Sequence, residues 1–178
     1  MLAFKRNRNL REILGPTRLS KGRVVRKKTT TKGRCTPCNS RVDAKCCNHV
    51  ISTQFFTDIK GHTKYEIRHR TNCKSKNAIY LAWCNKCNNK QYVGKLEEQG
   101  ANIRINKHRN DVKRADGISI DRHFDQPDHN FNRNFCVIII EQITKKNLTK
   151  EQMRMILLKR EDFWTLKLNT LAPNGYND

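Results

Sequence analysis

The chain has 178 residues, enough to bury one core and a small satellite module but not two full-sized domains. Its 37 Lys+Arg against 16 Asp+Glu leave a net charge of +21, which draws polyanions and makes nucleic acid the leading partner class ahead of a merely solvated basic surface. No run approaches the ~18 apolar residues that span a bilayer, the longest being Val137-Ile138-Ile139-Ile140, which excludes a transmembrane protein.

Residues 1–34 carry twelve Lys/Arg, one acidic residue and few apolar anchors, with Gly15-Pro16 as a break and a Thr29-Thr30-Thr31 run. This composition predicts a disordered basic arm. Within it, Arg23-Val24-Val25-Arg26-Lys27-Lys28 reads as a phosphate-binding or nuclear-import run, or as a solvated tail. Charge at Lys5 and Arg6 falls where a secretory leader carries its apolar stretch, so the eight cysteines are expected to be intracellular, reduced and open to metal.

Residues 35–74 hold Cys35, Cys38, Cys46, Cys47, Cys73 and His49 around short strands at Phe55-Phe56 and Tyr65-x-Ile67. They read as a cysteine-rich zinc-binding module, with more ligands than the four of a closed tetrahedral site. Adjacent Cys46 and Cys47 fit one ion poorly together. The segment has too little apolar surface to order itself without metal.

From residue 75 to 178 the composition is that of a globular α/β domain. Ile79, Leu81 and Trp83 alternate with Tyr80 and Ala82 as in a half-buried strand, Cys84 to Asn89 form a turn, and Tyr92-Val93 resumes extended structure that Gly94 ends. A hairpin of these two segments brings Tyr80 and Tyr92 together. Cys84-x2-Cys87 in its turn has knuckle spacing and could complete a site with Cys73 or join a second ion. Arg104, His108 and Asp111 form one polar stripe on a helix over 101–114, beside an apolar stripe of Ile105 and Val112. A third strand is expected over Phe135 to Ile140, with Cys136 as core packing. His62, His69, His123 and His129 lie in polar stretches and are expected to face solvent. Thr149-x-x-Gln152 is a capping box that opens a last helix carrying Met153, Ile156, Leu157, Phe163, Trp164 and Leu168 on its apolar stripe. Glu161 borders that stripe and needs a partner, for which Arg154 and Lys167 are in reach. Ala172-Pro173-Asn174-Gly175 closes the domain with turn chemistry.

Ala78-Ile79-Tyr80, Tyr92-Val93-Gly94, Arg104, His108 and Glu161, in this order, resemble the motifs of the GIY-YIG endonucleases. The likeness is nearest to the version attached to Penelope-like retroelement reverse transcriptases, in the cysteine-rich finger, the bridge Asn72-Cys73-Lys74-Ser75-Lys76-Asn77 and Phe163-Trp164. His123-Phe124 and Pro127-x-His129 recur there too, and Phe4-x-Arg6-x-Arg8-Asn9-Leu10 faintly resembles a reverse transcriptase's tail. The resemblance implies a three-stranded antiparallel sheet flanked by helices, and a nuclear enzyme that nicks duplex DNA, with an upstream reverse transcriptase module as a partner. It implies Tyr80 as general base or water orienter, Tyr92 as a positioning group, Arg104 on the scissile phosphate, His108 in proton transfer or phosphate contact, and Glu161 as ligand of one Mg²⁺ (or Mn²⁺) ion. Asn177 would be an auxiliary polar contact. The family's finger favours Cys38, Cys47 and Cys73 as ligands of structural Zn²⁺, with Cys35 or His49 as fourth and Cys46 spare. Ala78 in place of glycine is a mild departure from the pattern. Lys95-Leu96 in place of a polar-plus-Thr pair is a larger one, and it leaves a second reading, a non-catalytic nucleic-acid-binding relic, beside the endonuclease. A zinc-stabilised protein-interaction module is a third.

Overall fold

A computed structural model describes residues 32–39, 44–87, 90–114 and 117–178. The expectations for residues 1–31, the arm with its basic run at 23–28 and the match at 4–10, lie outside the described residues. Lys32–Asp178 forms one compact unit.

Its described elements are strands β1 (Arg34–Thr36), β2 (Phe55–Thr57), β3 (Lys64–Glu66), β4 (Arg70–Asn72), β5 (Ala78–Cys84), β6 (Gln91–Leu96) and β7 (Phe135–Gln142), with helices α1 (Ala44–Cys47), α2 (Ala101–Arg114), α3 (Ser119–Phe124), α4 (Phe131–Asn134) and α5 (Lys150–Leu168). The architecture is mixed α/β, built on a three-stranded antiparallel sheet in the order β6-β5-β7. β1 pairs with β4 in parallel, and β2 with β3 antiparallel, as two small satellite sheets. Among the described residues no helix is long and apolar enough to cross a membrane.

The middle strand corrects the expectation of a half-buried β5. Ile79, Tyr80, Leu81 and Ala82 are all buried and only Trp83 is partly exposed, because elements pack on both faces of the sheet. All six residues from Phe135 to Ile140 are buried, including Cys136, so this is a core strand.

Both edges of the central sheet are closed, which a sheet of this size requires because an open edge leaves backbone donors and acceptors unpaired. On the β7 side the segment expected as a zinc module supplies the partners. Val137 N–H donates to His49 O at 2.8 Å, Ile51 N–H donates to Val137 O at 3.0 Å, and Thr71 Oγ1 donates to Ile139 O at 3.0 Å. Cys35 Sγ accepts from Ile139 N–H at 3.3 Å. On the β6 side the chain terminus does the same work: Asn177 Oδ1 accepts from Val93 N–H at 2.9 Å and its Nδ2 donates to Val93 O at 2.8 Å, an amide imitating a fourth strand. Asn177 is thereby a structural clasp, which corrects its reading as an auxiliary site contact.

Helix α5 starts at the expected capping box, with Thr149 Oγ1 accepting from Gln152 N–H at 3.2 Å and Gln152 Oε1 accepting from Thr149 N–H at 2.9 Å. It ends at Asn169, whose φ of 55° is the left-handed conformation that asparagine tolerates. Leu157, Thr165 and Leu168 are buried, and Met153 and Trp164 pack at the border. Phe163, expected on this stripe, is 40% exposed, and the Arg160 guanidinium lies 4.3 Å from its ring centroid. Arg160 (2.7 Å) and Trp164 Nε1 both donate to Glu141 Oε2, which ties α5 to β7.

Asn177→Ala strips Val93 of two hydrogen bonds at a half-buried edge and is expected to cost about 1–3 kcal/mol in denaturant unfolding. Hydrogen exchange should show the lost protection concentrated in β6.

Candidate active site and metal clusters

The hairpin register sets Tyr80 opposite Gly94 and Ala82 opposite Tyr92, so the two tyrosines share a face and their ring centroids are 6.0 Å apart. Gly94 is required here by space. A Cβ on it would stand 2.6 Å from both Cζ and Oη of Tyr80. The Tyr80 ring therefore lies across the glycine, held by backbone on one side.

Helix α2 brings Arg104 and His108 to the same hydroxyl. Arg104 Nε donates to Tyr80 Oη at 3.0 Å, and His108 Nε2 lies 2.8 Å from that oxygen on its other side. The expected polar stripe of Arg104, His108 and Asp111 is divided. His108 sits on the buried face of α2 with Ala101 and Ile105, while Asp111 is half-exposed. Its Nδ1 is 2.7 Å from Oδ1 of Asp121, a buried residue of α3. The Asp121 carboxylate can only accept, so His108 carries its proton on Nδ1 and leaves Nε2 to accept from the Tyr80 hydroxyl. The result is a continuous chain, Arg104 to Tyr80 to His108 to Asp121.

Burial pushes the Tyr80 phenol well above its ordinary range, with Tyr92 adding to the rise and Arg104 opposing it. Tyr92 is likewise raised, first by burial, with Arg104 opposing and Glu161 adding. Burial lowers His108, against the pull of Asp121. Tyr80 is therefore a protonated phenol beside a neutral imidazole, and His108 Nε2 is an acceptor within hydrogen-bond reach of its hydroxyl.

A cleft of about 810 Å³ opens between β6, α2 and α5, lined among others by Tyr92, Lys95, Arg104, Lys107, Arg154 and Glu161. Glu161 faces it at 17% side-chain exposure and pairs with Lys95, whose Nζ is 2.7 Å from Oε2, rather than with Arg154 or Lys167. Thus Tyr80, Tyr92, Arg104 and His108 are clustered together, with Tyr80 and His108 buried, and Tyr92, Arg104 and Glu161 line the same cleft. Leu96, 2% exposed and opposite Ala78, is a core side chain, so a hydroxyl there would need a buried partner of its own.

No disulfide joins the eight cysteines. The ligand atoms of Cys38, Cys46, Cys47 and Cys73 lie within 4.8 Å of one another, a group that could hold a metal ion. Cys38 N–H donates to Cys73 Sγ at 3.3 Å, and Cys38 and Cys47 Sγ are 3.5 Å apart. This corrects three expectations. Cys46 is in the cluster, because consecutive residues on the turn of α1 diverge by about 100°, a spread that two ligands of one ion tolerate. Cys35 is out of it, engaged on the sheet edge at Ile139. His49 is out too, its Nδ1 2.9 Å from Phe135 O and its Nε2 2.9 Å from Arg109. Burial raises the Cys46 thiol to about 11 and raises Cys73 further, so a bound ion must displace their protons.

Cys84 and Cys87 converge not on Cys73 but on His123 and His129, a second group with all ligand atoms within 4.8 Å. The expectation that these histidines face solvent is corrected, since both are half-buried and their ring centroids are 4.2 Å apart. Cys87 Sγ is 2.9 Å from His129 Nε2, and His123 Nε2 is buried without a hydrogen-bond partner. Burial, then His129 and Lys90, lowers His123 to about 4, which keeps it the neutral imidazole that metals need. His62 is exposed as expected.

Sequence reasoning missed Asp121 and, for the second ion it offered to Cys84 and Cys87, the two histidines that complete the cluster. For the cluster a signal was present: His123-x5-His129 after Cys84-x2-Cys87 is a two-cysteine, two-histidine zinc spacing. For Asp121 the only hint was a carboxylate between Ile120 and Phe124 at helical spacing.

Gly94→Ala should force the Tyr80 ring off Arg104 and His108 and cost about 1–3 kcal/mol by denaturant midpoint. For His108 the folded pKa is below the unfolded value of about 6.5, so its contribution to stability is complete above pH 6.5 and lost as pH falls toward the folded value. His108→Gln should flatten that acid limb of a midpoint-against-pH plot. Elemental analysis should find about two Zn²⁺ per chain, about one for Cys73→Ser or His123→Ala, and no loss for Cys35→Ser. Comparison with models of protein families, with curated proteins and with solved structures found no match to this chain.

Proposed function

We propose that the chain is a metal-dependent endonuclease of the GIY-YIG type, with that family's fold, that nicks one strand of duplex DNA. The observation that carries this reading is the buried Tyr80 hydroxyl held between Arg104 Nε and His108 Nε2, directly behind Arg104 and Tyr92, which line a cleft that also holds a half-buried carboxylate. Hydrolysis of a phosphodiester needs a water relieved of its proton, a cation on the phosphate and stabilisation of the leaving oxygen.

The chain's own groups supply the first two. Tyr80 takes the proton of the attacking water as its own passes to His108 Nε2, and Asp121 holds the resulting imidazolium. The hydroxide adds to phosphorus while the bond to the leaving sugar oxygen breaks, that oxygen takes up a proton from solvent, and His108 then returns its proton through Tyr80 to solvent. Arg104 uses Nε on Tyr80 and also hydrogen-bonds Tyr92, and its remaining N–H donors are available to the scissile phosphate. Tyr92, in ring contact with both Tyr80 and His108, fixes their positions. Glu161, with the substrate phosphate, would hold a Mg²⁺ or Mn²⁺ ion, which keeps most of its waters and would supply Lewis-acid relief of charge on the leaving oxygen. A single half-buried carboxylate beside cationic groups fits such a substrate-assisted site.

Around the cleft, Lys150 and Glu98 (3.1 Å) and Arg154 and Glu97 (4.0 Å) form exposed pairs, weak enough for DNA phosphates to compete for the cations. The net charge of +21 supplies the sequence-independent attraction. The four thiols of the first cluster and the two thiols and two imidazoles of the second suit Zn²⁺, which at the first would brace the segment that closes the β7 edge and at the second would tie the hairpin turn to the α3 region. The reading carries with it a retroelement origin, nuclear localisation and an upstream reverse transcriptase partner.

The Lys95 ammonium on Glu161 favours a second reading, a nucleic-acid-binding module without turnover. Supercoiled plasmid separates the two. With zinc-loaded protein and Mg²⁺ the endonuclease produces nicked circles. EDTA and Glu161→Ala should abolish nicking, and Tyr80→Phe should slow it about 10²-fold or more. Salt-sensitive binding with no nicking under any condition would establish the module instead.

A further inference from the structure

Among the ion pairs around the cleft, one is withdrawn from water. Lys95 and Glu161 side chains are 26% and 17% exposed, against 80% and 68% for Lys150 and Glu98. A carboxylate so far out of solvent needs a counter-charge, and Nζ supplies it at 2.7 Å from Oε2. The strand that delivers this ammonium is the one whose Gly94 seats Tyr80, so its backbone position is fixed by the register with Ile79. The four-carbon stem beyond that backbone is flexible.

We infer that Lys95 is the resident cation of the Glu161 site, holding the carboxylate in place until a divalent ion displaces it and thereby setting how much metal the site requires. The inference rests on the endonuclease reading for its choice of ion. An ammonium and a divalent cation cannot share one carboxylate oxygen without like-charge repulsion at contact distance. Entry of the ion releases the ammonium into the cleft that Arg104 and Lys107 also line, where a phosphate oxygen is the acceptor that takes it. Metal and DNA therefore bind together more tightly than either binds alone, and the free protein is a weak metal binder at this site.

The test is Mn²⁺ titration of the zinc-loaded, DNA-free chain, followed by the enhancement of water proton relaxation. Lys95→Gln is expected to tighten Mn²⁺ binding about tenfold, the factor that about 1.4 kcal/mol commands. Lys95→Arg, which keeps the charge, should bind no tighter than the unchanged protein, and Glu161→Gln should remove the binding in every background. The inference is overturned if Lys95→Gln binds Mn²⁺ no tighter than the unchanged protein, or if Glu161→Gln leaves the binding intact. Tightened binding with no plasmid nicking would keep this inference and sink the endonuclease reading. Nicking with an affinity that Lys95→Gln does not move would do the reverse.

Discussion

The arrangement depends on one buried hydroxyl. Tyr80 Oη lies in the core at a place where an unpartnered hydroxyl would cost about 1–3 kcal/mol, and three elements are arranged to meet it. β6 offers a residue with no side chain, α2 offers Arg104 and His108 one helical turn apart, and α3 offers Asp121 to orient His108. Removing any one of these leaves a buried donor or acceptor unmatched, so the requirements of stability and of chemistry fall on the same residues.

A sheet of three strands has two edges for one middle strand, and the rest of the molecule is largely a response to that ratio. The terminus returns so that Asn177 can clasp Val93, and the cysteine-rich segment runs beside β7 so that His49, Ile51, Thr71 and Cys35 can complete it. The first metal cluster lies within that segment and the second joins the hairpin turn to the α3 region. Metal at these points would link pieces of chain that have few apolar contacts of their own. The site and its bracing are then parts of one construction, with the sheet between them.

Much of this was legible in the sequence because the signals were local. The capping box at Thr149 and Gln152, the two strands around Cys84 and Cys87, and the i, i+4 placement of Arg104 and His108 depend on neighbours along the chain. What the sequence did not disclose depends on distant partners. Whether Cys35 or Cys46 joins the cluster is decided by Ile139, far along the chain, whose amide takes the Cys35 sulfur. That His108 is buried and oriented by Asp121 is not visible along the helix itself, and Phe163 reads as core until Arg160 is seen stacked on it. The partner of Glu161 was sought on its own helix and found on a strand, since a helical wheel cannot show what packs against it.

The claim that Tyr80 has a waiting acceptor is tested most directly by the tautomer of His108, read from the ¹⁵N shifts of its ring nitrogens in the folded, zinc-loaded protein at neutral pH. The proton should be on Nδ1, toward Asp121, with Nε2 bare and accepting from Tyr80. A proton on Nε2, or on both nitrogens, would mean that Tyr80 has nowhere to send its own, and would contradict the account.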